Sequence, residues 1–139
     1  MNKIKCVPLL ICVVLLCCGC GLFTEEYTCN IDEVKSVYIV HLDQYIEGEY
    51  RFDSTVLCEV TDTAGFIGRL NAIDQEVNWG DPRKMEVGYT VIRIDYKNGD
   101  YDMVHQDVVI LHRSGKNRNG YIFFDDEQFD ALISDYTTE

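Results

Sequence analysis

Proline is almost missing from this chain of 139 residues: Pro8 and Pro82 are the only two. No proline-rich linker divides it, and neither an internal repeat nor a low-complexity segment suggests more than one domain. Basic residues are scarce as well, 12 Lys and Arg against 24 Asp and Glu, for a formal net charge of −12. Such a surface repels nucleic acid, so a nucleic-acid role is excluded, and it repels anionic lipid in the same way. It suits a cationic partner, or it keeps an exported protein soluble. Catalytic signatures are also missing: there is no Gly-x-Ser-x-Gly, no phosphate-binding loop, no Ser-x-x-Lys and no His-Glu-x-x-His. A non-catalytic protein without a cofactor is therefore expected. What is plentiful is aromatic side chain, with nine Tyr and six Phe beside one Trp, which argues against disorder.

The cysteines are crowded at the start. Of seven, five lie at or before position 20: Cys6, Cys12, Cys17, Cys18 and Cys20. Lys3 and Lys5 form a basic n-region, Val7 to Leu16 is an apolar run too short to span a bilayer, and Gly19 places a small residue before Cys20. This pattern resembles the bacterial lipoprotein signal, with Cys20 as the lipidation candidate and Cys18, three residues after Leu15, as the second choice. The resemblance implies a diacylglyceryl group on the Cys20 thiol and cleavage before it. Two acyl chains anchor stably where one does not. The expected location is the extracytoplasmic face of the cell membrane, and the expected partners are the membrane, through the lipid, and an envelope protein or polymer. An ordinary secretory signal and an uncleaved anchor are the alternatives.

Three parts follow: residues 1–19 as signal peptide, 20–30 as lipidated Cys and tether, and 31–139 as a single domain. Lys3 and Lys5 leave with the signal and no acid does, so residues 20–139 carry 10 basic against 24 acidic side chains, a net −14. Cys29 and Cys58 remain, where disulfides persist. One bridge between them would close a loop of about 30 residues and contribute a few kcal/mol; the alternative is two unpaired thiols, with Cys58 packed inside a strand.

Ser36 to Leu42 reads as a first strand. Ser54 to Val60 alternates, with Val56, Cys58 and Val60 on one half-buried face. A helix then starts at Thr61-Asp62-Thr63, with Phe66, Leu70 and Ile73 in one stripe and Ile67 beside it. Gly65 and Gly68 lower its propensity by up to about 1 kcal/mol each, and are expected to let it approach the sheet closely. Tyr89 to Tyr96 is the clearest strand. Asn98-Gly99 predicts a two-residue type I′ turn, from which Tyr101 to His105 returns. Val108 to His112 is a strand, Ser114 to Gly120 a polar loop, and Tyr121 to Phe124 the last strand. Asp125 caps a final helix, with Gln128 completing a capping box, Phe124 and Phe129 a hydrophobic staple, and Phe129, Leu132, Ile133 and Tyr136 one apolar face. The order β-β-α-β-β-β-β-α predicts an α+β domain: a mostly antiparallel sheet with helices packed on one face.

The segment from Gly88 to Tyr136 contains Asn98-Gly99-Asp100-Tyr101. It ends Gly120-Tyr-Ile-Phe-Phe-Asp125, then Phe129-x-x-Leu132-Ile133-x-x-Tyr136. It is similar to the C-terminal halves of small uncharacterised lipoproteins of Gram-positive bacteria. That likeness concerns a turn and a helix cap, and it carries no activity.

Several groups are candidates for chemistry. A two-residue turn would set Asp95 opposite Asp102, two weak candidates for a cation site; neutralisation by Arg93 and Lys97 is the plainer account. His41, His105 and His112 lack zinc-ligand spacing. Arg113, Lys116 and Arg118 make the only locally basic segment, and Trp79 with Arg83 and Lys84 a second candidate contact. Three readings follow: a non-catalytic binding or accessory lipoprotein, an immunity or inhibitor-type lipoprotein that binds a cationic partner, and a metal-dependent envelope enzyme.

Overall fold

The computed structural model describes residues 26–77 and 83–138. Cys18, Cys20 and Trp79 lie outside them. Eight strands and two α-helices follow one another: β1 (Val34–Ile46), β2 (Arg51–Glu59), α1 (Thr63–Asn71), β3 (Gln75–Val77), β4 (Thr90–Tyr96), β5 (Tyr101–His105), β6 (Val108–Arg113), β7 (Lys116–Gly120), β8 (Ile122–Phe124) and α2 (Asp126–Thr137). The main sheet is antiparallel throughout, in the order β2-β1-β4-β5-β6-β7, and β3 pairs with β8 in a separate ribbon. The α+β expectation holds, with both helices on one face. Against Phe66, Ile67, Leu70, Phe129 and Leu132 of the helices pack Val37, Ile39, Ile92, Ile94, Val104 and Leu111 of the sheet. Phe66 meets Tyr136 edge-on at 4.9 Å, and Arg69 joins Asp135 at 2.7 Å, so the two helices brace each other.

The opposite face carries a second, smaller core of Val40, Leu42, Val91, Met103, Val108 and Ile110, covered by Met85 from the segment before β4. Two buried faces explain why β4 reads as a nearly continuous apolar run rather than an alternating one.

Both helix starts follow their caps. The Asp125 carboxylate accepts from the Gln128 N–H at 3.0 Å, and Phe124 and Phe129 stand 5.6 Å apart as a staple. The box is not closed, however: the Gln128 side chain turns to Asp74, accepting from its N–H and donating to its carboxylate, both at 3.0 Å. At α1 the Asp62 carboxylate accepts from the Gly65 N–H at 3.1 Å. Neither glycine of α1 approaches the sheet. A Cβ on Gly65 would collide with the Asp62 cap carboxylate, whereas one on Gly68 would meet nothing. Gly68→Ala is therefore expected to stabilise the domain by up to about 1 kcal/mol. Gly65→Ala is expected to give no net gain, because the cap it disturbs is worth about 1 kcal/mol. Urea midpoints of the two variants check this, and an equal gain from both would contradict the cap's role.

Several sequence expectations need correction. Residues 116–120 are not a loop: Ser114 and Gly115, at φ 51° and 79°, make the two-residue turn with both central residues left-handed that links β6 to β7. An edge strand needs no apolar face, so Lys-Asn-Arg-Asn-Gly forms one without a hydrophobic pattern. Nor is β2 half-buried: it is the other edge, with Val56 56% and Leu57 51% exposed and Leu57 in a bulge opposite Ile39 and Val40. Cys29 and Cys58 are both unpaired in the structure, Cys29 buried and Cys58 half-buried beside the helix-side core. The domain also starts before Ile31. Tyr27 and Cys29 are buried in the core, and Gln75 and Asn71 each bind both the N–H and the C=O of Tyr27 and Cys29 respectively, at 2.7–2.9 Å.

The β4–β5 hairpin is shifted by one residue from the expected register. The Gly99 N–H donates to the Tyr96 carbonyl at 3.1 Å, and the Tyr96 N–H to the Asp100 carbonyl at 2.9 Å. Only Gly99, at φ 91°, is left-handed, so the loop has three residues, Lys97-Asn98-Gly99, ending in a glycine bulge. Ile94 therefore faces Asp102, and Asp95 faces Tyr101. A slip of one residue turns every β5 side chain to the other face of the sheet.

Candidate functional site: a cradle on the sheet face opposite the helices

That slip puts Asp102 inside. It is fully buried, its Oδ2 accepting from the Tyr27 hydroxyl at 2.7 Å and the Tyr96 hydroxyl at 2.5 Å, with Arg113 Nη1 2.6 Å from Oδ1. The Arg113 guanidinium also lies over the Tyr96 ring at 5.0 Å. Beside them the Cys29 sulfur lies 3.5 Å from the Tyr96 hydroxyl oxygen, whose one proton goes to Asp102. Burial, reinforced by the charge of Asp102, pushes both phenols above the ordinary tyrosine value, and burial pushes the Cys29 thiol up as well. Burial thus favours the protonated form of the two phenols and of the thiol. The cluster is structural: it fastens the segment at Tyr27 to the middle of the sheet. Arg113 is thus tied to this cluster through Nη1, while its side chain stays 44% exposed.

Asp95 and Asp102 do not share a site. They lie on opposite faces of the sheet, Asp95 bound to Arg93 at 2.8 Å and Asp102 to Arg113. Lys97, the other expected neutraliser, instead donates to the Asp32 carbonyl at 2.7 Å. The histidines are likewise apart. His41 lies opposite Thr90. His105 stacks on Tyr89 at 4.0 Å and accepts from the Asp107 N–H at Nδ1, with burial lowering its basicity. His112 stacks on Tyr101 at 4.4 Å. Among the described residues no three His, Cys, Asp or Glu side chains are placed to hold a metal. The metal-dependent reading thereby loses its named ligands.

The concave feature is on the other face. The tip of the β1–β2 hairpin reaches across to β7, where the Asn117 side-chain amide donates to the Tyr50 carbonyl at 3.1 Å. The two edge strands of the sheet are thus tied at one end, and the sheet curls around a cavity of about 1140 Å³. Its floor is Tyr101, Met103, Ile110 and His112; Tyr45, Tyr50 and Phe52 form one wall, residues 84–87 another, and Lys116, Asn117 and Asn119 the third. The floor is stiff. Arg93 lies over the Tyr101 ring at 4.5 Å, Tyr101 stacks on His112, and His112 Nδ1 is bonded to Asn117 Oδ1 at 2.6 Å. Tyr50 is 72% exposed and sits at φ 51°, a left-handed conformation that costs a non-glycine residue free energy. Strain of that kind, with an aromatic ring held out over a cavity, is a sign of function.

The expected contact residues divide. Lys84 and Lys116 line the cradle, from different walls. Arg83 points away, 3.9 Å from Asp107 and over the Phe123 ring at 5.9 Å. Arg118 lies on the helix side, opposite Leu111. The residues missed in the sequence were Tyr45, Tyr50, Phe52 and Tyr101; no periodicity marks them, because the curl of the sheet is what brings them together.

No protein-family model matches the sequence, and neither a curated protein nor a solved structure matches it.

Proposed function

We propose that this is a membrane-anchored extracytoplasmic lipoprotein whose single α+β domain is a non-catalytic binding module, with the cradle as its binding face. The observation that carries the anchor is Gly19-Cys20 after a basic n-region and a ten-residue apolar run. No helix of the described residues is long and apolar enough to cross a membrane. Burial of Tyr27 shortens the tether read from the sequence. Cys20 and Tyr27 are seven positions apart, so the domain would sit within about 25 Å of the bilayer. The binding role rests on the aromatic, partly strained cradle, and the buried cluster around Asp102 is suited to holding the fold. On this reading the wild-type chain partitions into the detergent phase and takes up labelled palmitate, and Cys20→Ser does neither. If Cys18→Ser rather than Cys20→Ser abolishes labelling, the anchor is two residues earlier; labelling of neither protein would overturn the reading.

A second reading, an immunity or inhibitor-type protein for a cationic partner, is favoured by the charge of −12 and by an acidic cleft formed by Asp74, Glu76, Asp107, Asp125 and Asp126. Salt-sensitive capture of a basic partner that is lost on neutralising these acids would support it.

A further inference from the structure

Resting on the cradle as the binding face, we propose that the end of the β1–β2 hairpin, residues 44–53, is a hinged lid that swings at Asp43 to open and close the cradle. Strand β1 outruns its neighbour on the inner side. Its pairing with β4 ends at His41 opposite Thr90. Leu42 is then fixed to the segment before β4, its N–H donating to the Tyr89 carbonyl at 2.9 Å and its carbonyl accepting from the Gly88 N–H at 2.8 Å. Beyond that point, among the described residues, Gln44, Tyr45 and Ile46 pair only with Asp53, Phe52 and Arg51 of β2. A two-stranded hairpin is marginal by itself, so what fastens this arm decides whether it stays closed.

The hinge is a bulge. Asp43 is the extra residue between the pairs Leu42–Ser54 and Gln44–Asp53, and a bulge bends its strand. Its carboxylate accepts from the Thr55 hydroxyl at 2.6 Å, which ties the bend to the neighbouring strand. The latch is at the other end. Among the described residues, the one hydrogen bond from the arm to the rest of the domain is that of the Asn117 amide to the Tyr50 carbonyl. His112 holds the amide oxygen, so the Asn117 NH₂ group is turned to Tyr50. The ion pairs of Arg51, with Glu49 and Asp53, both stay within the arm.

Between hinge and latch the arm carries one wall of the cavity, Tyr45, Tyr50 and Phe52. Of these only Phe52 packs against the second core, while Tyr45 is 40% exposed and Tyr50 more so. Segments with few buried apolar contacts and exposed backbone hydrogen bonds open locally, and lids over binding sites belong to this class. With the arm down, Met103 on the floor is only 5% exposed. A ligand that touches both arm and floor shifts the arm toward the closed position by as much as it prefers that position.

The test is amide hydrogen exchange of the full chain in detergent micelles, wild type beside Asn117→Ala, together with the rate at which hydrogen peroxide converts Met103 to its sulfoxide. In the wild type, the paired amides of residues 44–46 and 51–53 are expected to exchange as one group, with little dependence on urea, because a local opening exposes little surface. In Asn117→Ala their exchange rises by one common factor of about five, the worth of one neutral hydrogen bond. Sulfoxide formation at Met103 rises by the same factor, while the amides of residues 36–41 and 101–105 are unchanged and show that the variant is folded. Arm amides that exchange only with global unfolding overturn the lid and leave the cradle as a rigid binding face. So does a variant in which only the tip, residues 47–50, exchanges faster, or in which Met103 oxidises no faster than in the wild type. Arm amides that exchange at unfolded-chain rates in the wild type remove that wall altogether, and the choice of binding face falls with the lid.

Discussion

Asp102→Ala is expected to lower the unfolding free energy by about 4 kcal/mol. Three groups lose their partner at once. The Tyr27 and Tyr96 hydroxyls are left in the core without an acceptor, and Arg113 loses the carboxylate 2.6 Å away. Each stranded buried donor costs about 1–3 kcal/mol, and the small cavity left by the side chain adds to that. Asp102→Asn keeps the shape and one oxygen but turns an NH₂ group toward donors, so about half the loss is expected. Replacing all four members with apolar groups of similar shape (Y27F, Y96F, D102L and R113M) should recover most of it, because no polar group then remains unsatisfied. Urea denaturation of the three proteins measures the series. A loss below about 1 kcal/mol for Asp102→Ala would mean that the cluster does not hold the N-terminal segment to the sheet.

The second large effect is alkaline. Tyr27 and Tyr96 are held above the ordinary tyrosine value of 10.0, first by burial and then by the charge of Asp102. The unfolded chain releases these protons near the ordinary value while the folded domain retains them. The stability they contribute is thus fully present below pH 10.0 and is lost as pH rises above it. Each tyrosine steepens the fall by about 1.4 kcal/mol per pH unit, so the pair gives about 3. Cys29, raised from 9.0 by burial, starts the decline slightly earlier. Tyr27→Phe should lower the plateau at neutral pH and also flatten the alkaline limb by about 1.4 kcal/mol per unit. Equal alkaline slopes for wild type and Tyr27→Phe would show that the phenol is not buried beside the carboxylate.

What the residues disclose in advance is the local grammar. The caps at Asp62 and Asp125, the staple of Phe124 on Phe129, the apolar stripe of each helix and the strand at Tyr89 to Tyr96 are short-range patterns, and each forms where its chemistry places it. What escapes is decided by competition. Lys97-Asn98-Gly99-Asp100 satisfies both a two-residue and a three-residue turn; burial of Val104 against the helices and of Met103 on the other face selects the latter. The glycine at the left-handed position was the available signal. Asp102 is then carried inward, where only distant partners, Tyr27 and Arg113, make its burial tolerable. Tyr27 itself looked like tether because its contacts lie 48 and 75 residues away. Edge strands β2 and β7 defeat pattern reading from opposite sides, the first too apolar for its exposure and the second too polar for a strand. The cradle is harder still, since Tyr50 and Asn117 meet across 67 residues only when the sheet curls.

The most direct test of the account is the intact mass of the protein extracted from membranes, wild type beside Cys20→Ser. The account predicts a mature chain that begins at Cys20 and carries a diacylglyceryl group, together with loss of that added mass in the variant. A chain cleaved without lipid, or one retaining residues 1–19, would contradict the anchor and with it the short distance between bilayer and cradle.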